Sequence, residues 1–198
     1  MTPTLLIFIK NPELGKAKTR LAQSVGDERA LQIYQALLGH TRSIAQQVPA
    51  QRMLFYSSFI DGEDQWPLTH FNKYLQASGD LGTRMTMAFE QAFEQGGGPV
   101  LIIGSDCAQL TADIIQQGIT ALAEKDFVIG PAEDGGYYLI GMQHFRPEVF
   151  QAIEWSTEQV FAQTQAIIEQ HGWSLALLPT LSDIDYEEDW EKHGWQIP

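Results

Sequence analysis

Apolar residues in this chain follow two rhythms. Continuous short runs occur at Leu5 to Ile9, Met53 to Ser57, Leu101 to Ile103, Phe127 to Pro131, Tyr137 to Met142 and Trp173 to Leu178. Runs of that length bounded by turn residues read as strands, the unbroken ones buried on both faces. A shorter strand is expected at Tyr74 and Leu75. Between the runs, apolar residues recur at helical spacing. Leu31, Tyr34, Leu38, Thr41, Ala45 and Val48 predict a helix to about Gln47, with Asp27 as N-cap and Pro49 as stop. Leu81, Met85, Ala88, Phe89, Ala92 and Phe93 predict a second. Thr111 caps a third through Leu122, and Ser156 with Gln159 reads as a capping box for a fourth carrying Val160, Phe161, Ile167 and Ile168.

Strands and helices that alternate in this way predict a three-layer α/β/α sandwich with a mainly parallel sheet. The join Asp134-Gly135-Gly136 is too short for a crossover helix, so the strands it links are expected to be antiparallel and the sheet mixed. No repeat, low-complexity tract or linker interrupts the pattern, and residues 1–198 are expected to form one domain.

The most informative run is Leu101-Ile102-Ile103, which stops abruptly at Gly104-Ser105-Asp106. Gly97, Gly98 and Pro99 on its left speak against a helix. A buried parallel strand ending in a carboxylate delivers it to the C-terminal edge of the sheet, where open α/β sheets bind ligands. Asp106 is the first candidate for a metal ligand and a catalytic group.

Charge narrows the partners. The net charge is −13, with 12 Lys plus Arg, and four of these (Lys10, Lys16, Lys18, Arg20) crowd into one segment. A nucleic-acid partner is not expected from such a chain. A small anion met locally by the basic segment is. Cys107 is the only cysteine, no apolar run approaches membrane-spanning length, and no basic region precedes an apolar stretch at the N-terminus. These features predict a cytoplasmic protein without a membrane span or internal disulfide.

Four segments could carry chemistry. Gly15-Lys16-Ala17-Lys18-Thr19-Arg20 combines a glycine with helix-opening amides and cations suited to a phosphate, although it lacks the first glycine of a Walker A loop. Read more plainly, it is a solvated basic loop. Asp106 could hold Mg2+ or Mn2+, because a hard cation needs only one or two protein carboxylates beside water and substrate phosphates; otherwise it is a turn cap. Asp134-Gly135-Gly136-Tyr137-Tyr138 is either a hairpin turn or the rim of a cleft. Asp183-Ile184-Asp185 could complete a metal site with Asp106 if the tail folds back, or could cap a final helix through Glu187, Glu188 and Asp189. The five histidines show no ligand-pair spacing, which argues against zinc.

Taken in order, several motifs resemble a bacterial glycosyltransferase family associated with arsenosugar biosynthesis, of the GT-A, Rossmann-like nucleotide-diphospho-sugar transferase superfamily. They are Phe8 to Pro12 with Gly15 to Leu21, Gly79 to Met85, Ile103 to Cys107, Gly130 to Leu139, Trp155-Ser156-Thr157 and Asp183-Ile184-Asp185. Ala108 stands where that family usually has proline. The resemblance implies a nucleotide sugar as donor and a small-molecule acceptor. It puts Lys18 and Arg20 on the diphosphate, with Lys10 and Gly15 in the same segment. Asp80 and Arg84 fall near the nucleotide, Asp106 and Asp185 on Mg2+ or Mn2+, and Asp134 by the acceptor as base. Gly135, Gly136 and Tyr137 line the acceptor side. Two other readings stay open: nucleotidyl transfer from an NTP to a phosphorylated small molecule, and nucleotide binding without turnover. The absence of a glycine-rich opening after the first strand favours glycosyl transfer over nucleotidyl transfer.

Overall fold

The computed structural model describes residues 2–96 and 98–197. Gly97, part of the expected turn between Gly96 and Pro99, lies outside the described residues. Among the described residues the sheet has seven strands: β1 (Thr4–Ile9), β2 (Gln51–Tyr56), β3 (Asn72–Leu75), β4 (Val100–Ile103), β5 (Phe127–Pro131), β6 (Tyr137–Met142) and β7 (Leu175–Leu177). The helices are α1 (Thr19–Val25), α2 (Asp27–Gln47), α3 (Leu81–Gly96), α4 (Ala112–Ala121), α5 (Val160–Gln170) and α6 (Glu187–His193), with one 3-10 turn at Pro147–Phe150. Among the described residues no helix is long and apolar enough to cross a membrane.

The strand order is β3-β2-β1-β4-β6-β5-β7. All pairs are parallel except those of β6, which runs antiparallel to β4 and β5. The mixed, mainly parallel sheet expected from the short Asp134–Gly136 join is therefore present. Alternation along each strand divides the core into two layers. Leu5, Ile7 and Ile9 of β1, with Leu101 and Ile103 of β4, pack on the α2 and α4 side. Leu6, Ile102, Phe127, Ile129 and Ile140 pack on the other, against Met85, Ala88 and Phe89 of α3 and Ile168 of α5. A third cluster joins α1, α2 and the C-terminal segment through Leu21, Ile33, Leu37 and Ile184.

Three local expectations are corrected. Asp27 does not cap α2; Gly26 holds that place at φ 83, and Asp27 and Glu28 form the first turn, where their charge suits the helix dipole. Ser156 and Gln159 form no capping box. Ser156 sits at φ 66, and α5 starts at Val160 without a side-chain cap. The tail helix is capped by Asp189, whose carboxylate accepts from the Asp185 and Tyr186 amides at 3.0 and 2.8 Å. That leaves the side chains of Asp183 and Asp185 to point elsewhere.

Candidate active site

The chain leaves β1, builds β2 and β3 outward on one side, and returns to β4 on the other side of β1. Loops following β1 and β4 diverge at that reversal, which opens a crevice at the carboxyl ends of the two strands. Residues 10–18 come from one loop and Gly104, Ser105 and Asp106 from the other. Tyr34 of α2, fully buried, ties them together. Its hydroxyl accepts from the Lys10 amide at 2.8 Å, donates to the Lys10 carbonyl at 3.0 Å and lies 3.2 Å from Ser105 Oγ.

Lys18 is the centre of the charged groups. Its backbone takes a left-handed conformation (φ 52, ψ 47) at the start of α1, which turns the side chain inward. That conformation is unfavourable for a side chain with a Cβ and is held here by the surrounding contacts. Nζ lies 2.7 Å from Asp106 Oδ1 and 3.5 Å from Asp185 Oδ1, and donates to the Ile184 carbonyl at 2.6 Å. Burial alone would push the ammonium pKa down. Asp106 above all, with Asp185 and Asp183, outweighs that and holds it above the ordinary value. The Ile184 amide donates to the Asp106 carbonyl at 2.9 Å, which pins the tail to the end of β4. Asp185 also receives Arg20 at 3.0 Å.

The crevice has two lobes. The first, about 330 Å³, is lined by Phe8, Lys10, Gln76, Arg84, Gly104 and Asp106 among others. A Cβ added at Gly104 would meet no other atom within 4 Å, so the backbone there is open to the cleft. The second, about 370 Å³, is lined by Arg20, Asp134, Gly136, Trp155 and Glu158 among others. Leu81, Tyr137 and Asp183 belong to both. Lys10, Arg20, Arg84, Asp106, Asp134, Gly136 and Tyr137 are thus gathered at one cleft, with Lys18 beneath Asp106.

Other expected residues lie elsewhere. Gly15, at φ 71, faces the Asp27 carboxylate. Asp80 does not line the cleft: it accepts from the Thr83 amide at 2.8 Å in the first turn of α3, and that bond holds its carboxyl below the ordinary range. Gly135 backs onto the Glu158 carbonyl, where a Cβ would collide. Asp185 is turned to Lys18 and Arg20 instead of into either lobe. Tyr137 offers only its ring, because its hydroxyl is buried. Cys107 is buried and its thiol is pushed up to about 12, chiefly by burial and then by Asp183, so it is no nucleophile at neutral pH.

Asp183, one of the two tail carboxylates considered for the metal, and Trp155, seen only as part of a motif, are both cleft residues, and Glu158 is one that the sequence did not single out. Asp183 sits at the junction of the lobes. Burial first, then Asp106 and Asp134, push its carboxyl up to about 7 against the opposing pull of Lys18. The sign of the consequence follows directly. From about pH 4 to about pH 7 the folded protein keeps a proton on Asp183 that the unfolded chain has lost, so stability falls as pH rises through that window. Asp183→Asn should remove this slope and raise stability at pH 8 by about 1–2 kcal/mol, the gain kept small because asparagine also gives up the attraction to Lys18. Denaturation of both proteins across the window in metal-free buffer checks this; parallel curves would contradict it.

The sequence and the overall fold are similar to those of known proteins. A family described as uncharacterized proteins conserved in bacteria (DUF2064) matches residues 40–157. A search of curated protein sequences finds no match. A crystal structure from Desulfovibrio desulfuricans G20, provisionally named a nucleotide-diphospho-sugar transferase, superimposes with a TM-score of 0.88 at 31% identity, covering 94% of this chain and 84% of that one. The inositol-1-phosphate CTP transferase of T. maritima shares the fold at a TM-score of 0.56 and 10% identity, covering 95% and 91% of the two chains. Rv0371c of Mycobacterium tuberculosis, in complex with manganese, does so at 0.57 and 12%, covering 97% of each. The fold is that of the nucleotide-diphospho-sugar transferases, and with more than half its length matched the chain belongs to the DUF2064 family of bacterial proteins.

Proposed function

We propose that this protein transfers a glycosyl group from a nucleotide-diphospho-sugar to a small-molecule acceptor. The observation that carries the reading is the two-lobed cleft at the β1/β4 reversal. Asp106 lies at its floor with Lys18 paired beneath it, and Asp134 lines the second lobe. The resemblance of the sequence motifs to a glycosyltransferase family associated with arsenosugar biosynthesis supports the same reading.

The donor set suits a hard cation. Asp106 and Asp183 both face the first lobe; Asp106 adds to the burial that raises the Asp183 pKa, and a divalent ion would offset that negative charge. Among the described residues no three metal-binding side chains form a ready cage, so substrate phosphates and water would complete the shell. Asp106 and Asp183 would hold Mg2+ or Mn2+, with Asp185 left to orient Lys18 and Arg20. A cation held there would supply positive charge to offset that of a departing diphosphate.

Lys10 and Arg84 line the donor lobe and supply positive charge in an acidic protein. Lys18 holds Asp106 in place through its 2.7 Å ion pair, so the carboxylate needs no reorganisation when the donor binds. Asp134 spends one oxygen on the Gly136 amide at 2.9 Å. Its other oxygen is available to take a proton from the acceptor hydroxyl.

Calorimetry with nucleoside diphosphates and nucleotide sugars, with and without Mg2+ or Mn2+, tests the reading. Binding that requires the cation is the expected result, and failure of every nucleotide to bind would end it. Release of pyrophosphate from an NTP would move the assignment to nucleotidyl transfer, which proteins of this fold also perform.

A further inference from the structure

We propose that the second lobe selects a neutral or cationic polyhydroxylated ring, such as an uncharged sugar or an amino sugar, and rejects phosphorylated acceptors. The proposal rests on the glycosyl-transfer reading and gives it a substrate class.

Charge makes the first part of the case. Three carboxylates line this lobe, those of Asp134, Glu158 and Asp183, against one guanidinium, Arg20. Arg20 is already paired with Asp185 at 3.0 Å. With Asp183 assigned to the cation at the junction, Asp134 and Glu158 remain to meet the acceptor. Ionised carboxylates only accept hydrogen bonds, so the ligand must bring donors: hydroxyls or an ammonium. A phosphate would bring further negative charge, and Arg20, the cation among the described residues lining the lobe, is already engaged by Asp185. Specificity of this kind comes from repulsion of the wrong ligand as much as from attraction of the right one.

Shape makes the second. Trp155 and Tyr137 supply aromatic walls, and Leu81 and Val160 add apolar surface. A pyranose ring has an apolar face of C–H groups that suits an indole, while its edge carries hydroxyls. Trp155 is held firmly for that task. Its indole packs on Gly82 of α3, where a Cβ would come within 2.6 Å of Nε1. The next residue, Ser156, takes φ 66, and the Thr157 hydroxyl donates to the Glu154 carbonyl at 2.7 Å. Gly135 lets the Asp134 turn lie flat on this strap, and the Phe161 amide donates to the Gly135 carbonyl at 2.8 Å. The Asp134 carboxylate, held by the Gly136 amide, and the indole are thus in position before a ligand arrives, which limits the ordering cost of binding.

Saturation-transfer NMR with methyl glucoside, glucosamine and glucose 1-phosphate tests the proposal, on the protein alone and with Mg2+ and a nucleoside diphosphate. Methyl glucoside and glucosamine should bind at least about tenfold better than glucose 1-phosphate. Trp155→Ala should remove their signal. Glu158→Gln, at an exposed position that leaves the fold intact, should narrow the gap to the phosphate. Equal or better binding of glucose 1-phosphate, no binding of any of the three, or a gap unchanged in Glu158→Gln would each overturn it. The glycosyl-transfer reading fails separately, in the nucleotide calorimetry, whatever the sugars do.

Discussion

Lys18→Met should lower stability by about 2–4 kcal/mol and loosen the C-terminal segment from the sheet. The side chain is 5% exposed and meets three oxygens, on Asp106, Asp185 and the Ile184 carbonyl. Removing one member of a buried ion pair leaves the others uncompensated, a loss of about 3–5 kcal/mol when all are enclosed. Here the Asp106 and Asp185 side chains are 39% and 34% exposed and can recover water, which sets the lower figure. Without the ammonium, Asp183 also loses the one group that lowers its pKa. Denaturant unfolding gives the energy. Hydrogen exchange at the Ile184 amide, bonded to the Asp106 carbonyl, reports the loosening. An unfolding midpoint equal to that of the natural sequence would show that the ion pairs contribute nothing net.

Asp106→Asn separates fold from function. The strand that carries it is held by four fully apolar positions, Val100 to Ile103, all buried, so the sheet should survive. Asparagine keeps the shape but removes the charge that pairs with Lys18 and that would face a cation. A hydrogen bond to a charged group is worth about 1.5–3 kcal/mol, which corresponds to roughly 10–150-fold in affinity. Cation-dependent nucleotide binding should weaken by that factor while the circular dichroism spectrum stays the same. Unchanged affinity in calorimetry would remove Asp106 from the site.

Much of this architecture could be read from residue order, because the cause is local. The continuous run Leu5 to Ile9 and the run Val100 to Ile103 are apolar on both faces, as strands covered by helices on both sides must be. Asp106 was legible for the same reason: where such a strand stops is where the sheet has its edge. Short elements were less legible. Helix α1 buries only Leu21, which gives no period to detect, so residues 13–20 read as a loop or the opening of a helix with no extent. Tertiary contacts between distant segments were not legible at all. The alternation Asp183-Ile184-Asp185 says that Ile184 points into a core and the two carboxylates away from it. It cannot say that the core belongs to α1 and α2, or that Lys18 waits between the carboxylates and the end of β4. Trp155 lay within a recognised motif, yet its place beside Asp134 depends on the close approach at Gly135 and Gly82, which only the packed structure reveals.

The hydroxyl of Tyr34 gives the cleft a mechanical character. It holds Lys10 by both backbone groups and reaches Ser105, beside Asp106. The two loops of the donor lobe are therefore bolted to a single helix of 21 residues, and through it to each other. One loop cannot swing without dragging α2 or breaking buried hydrogen bonds. A displacement of one loop is therefore a displacement of the other, and the donor half of the cleft acts as an anvil.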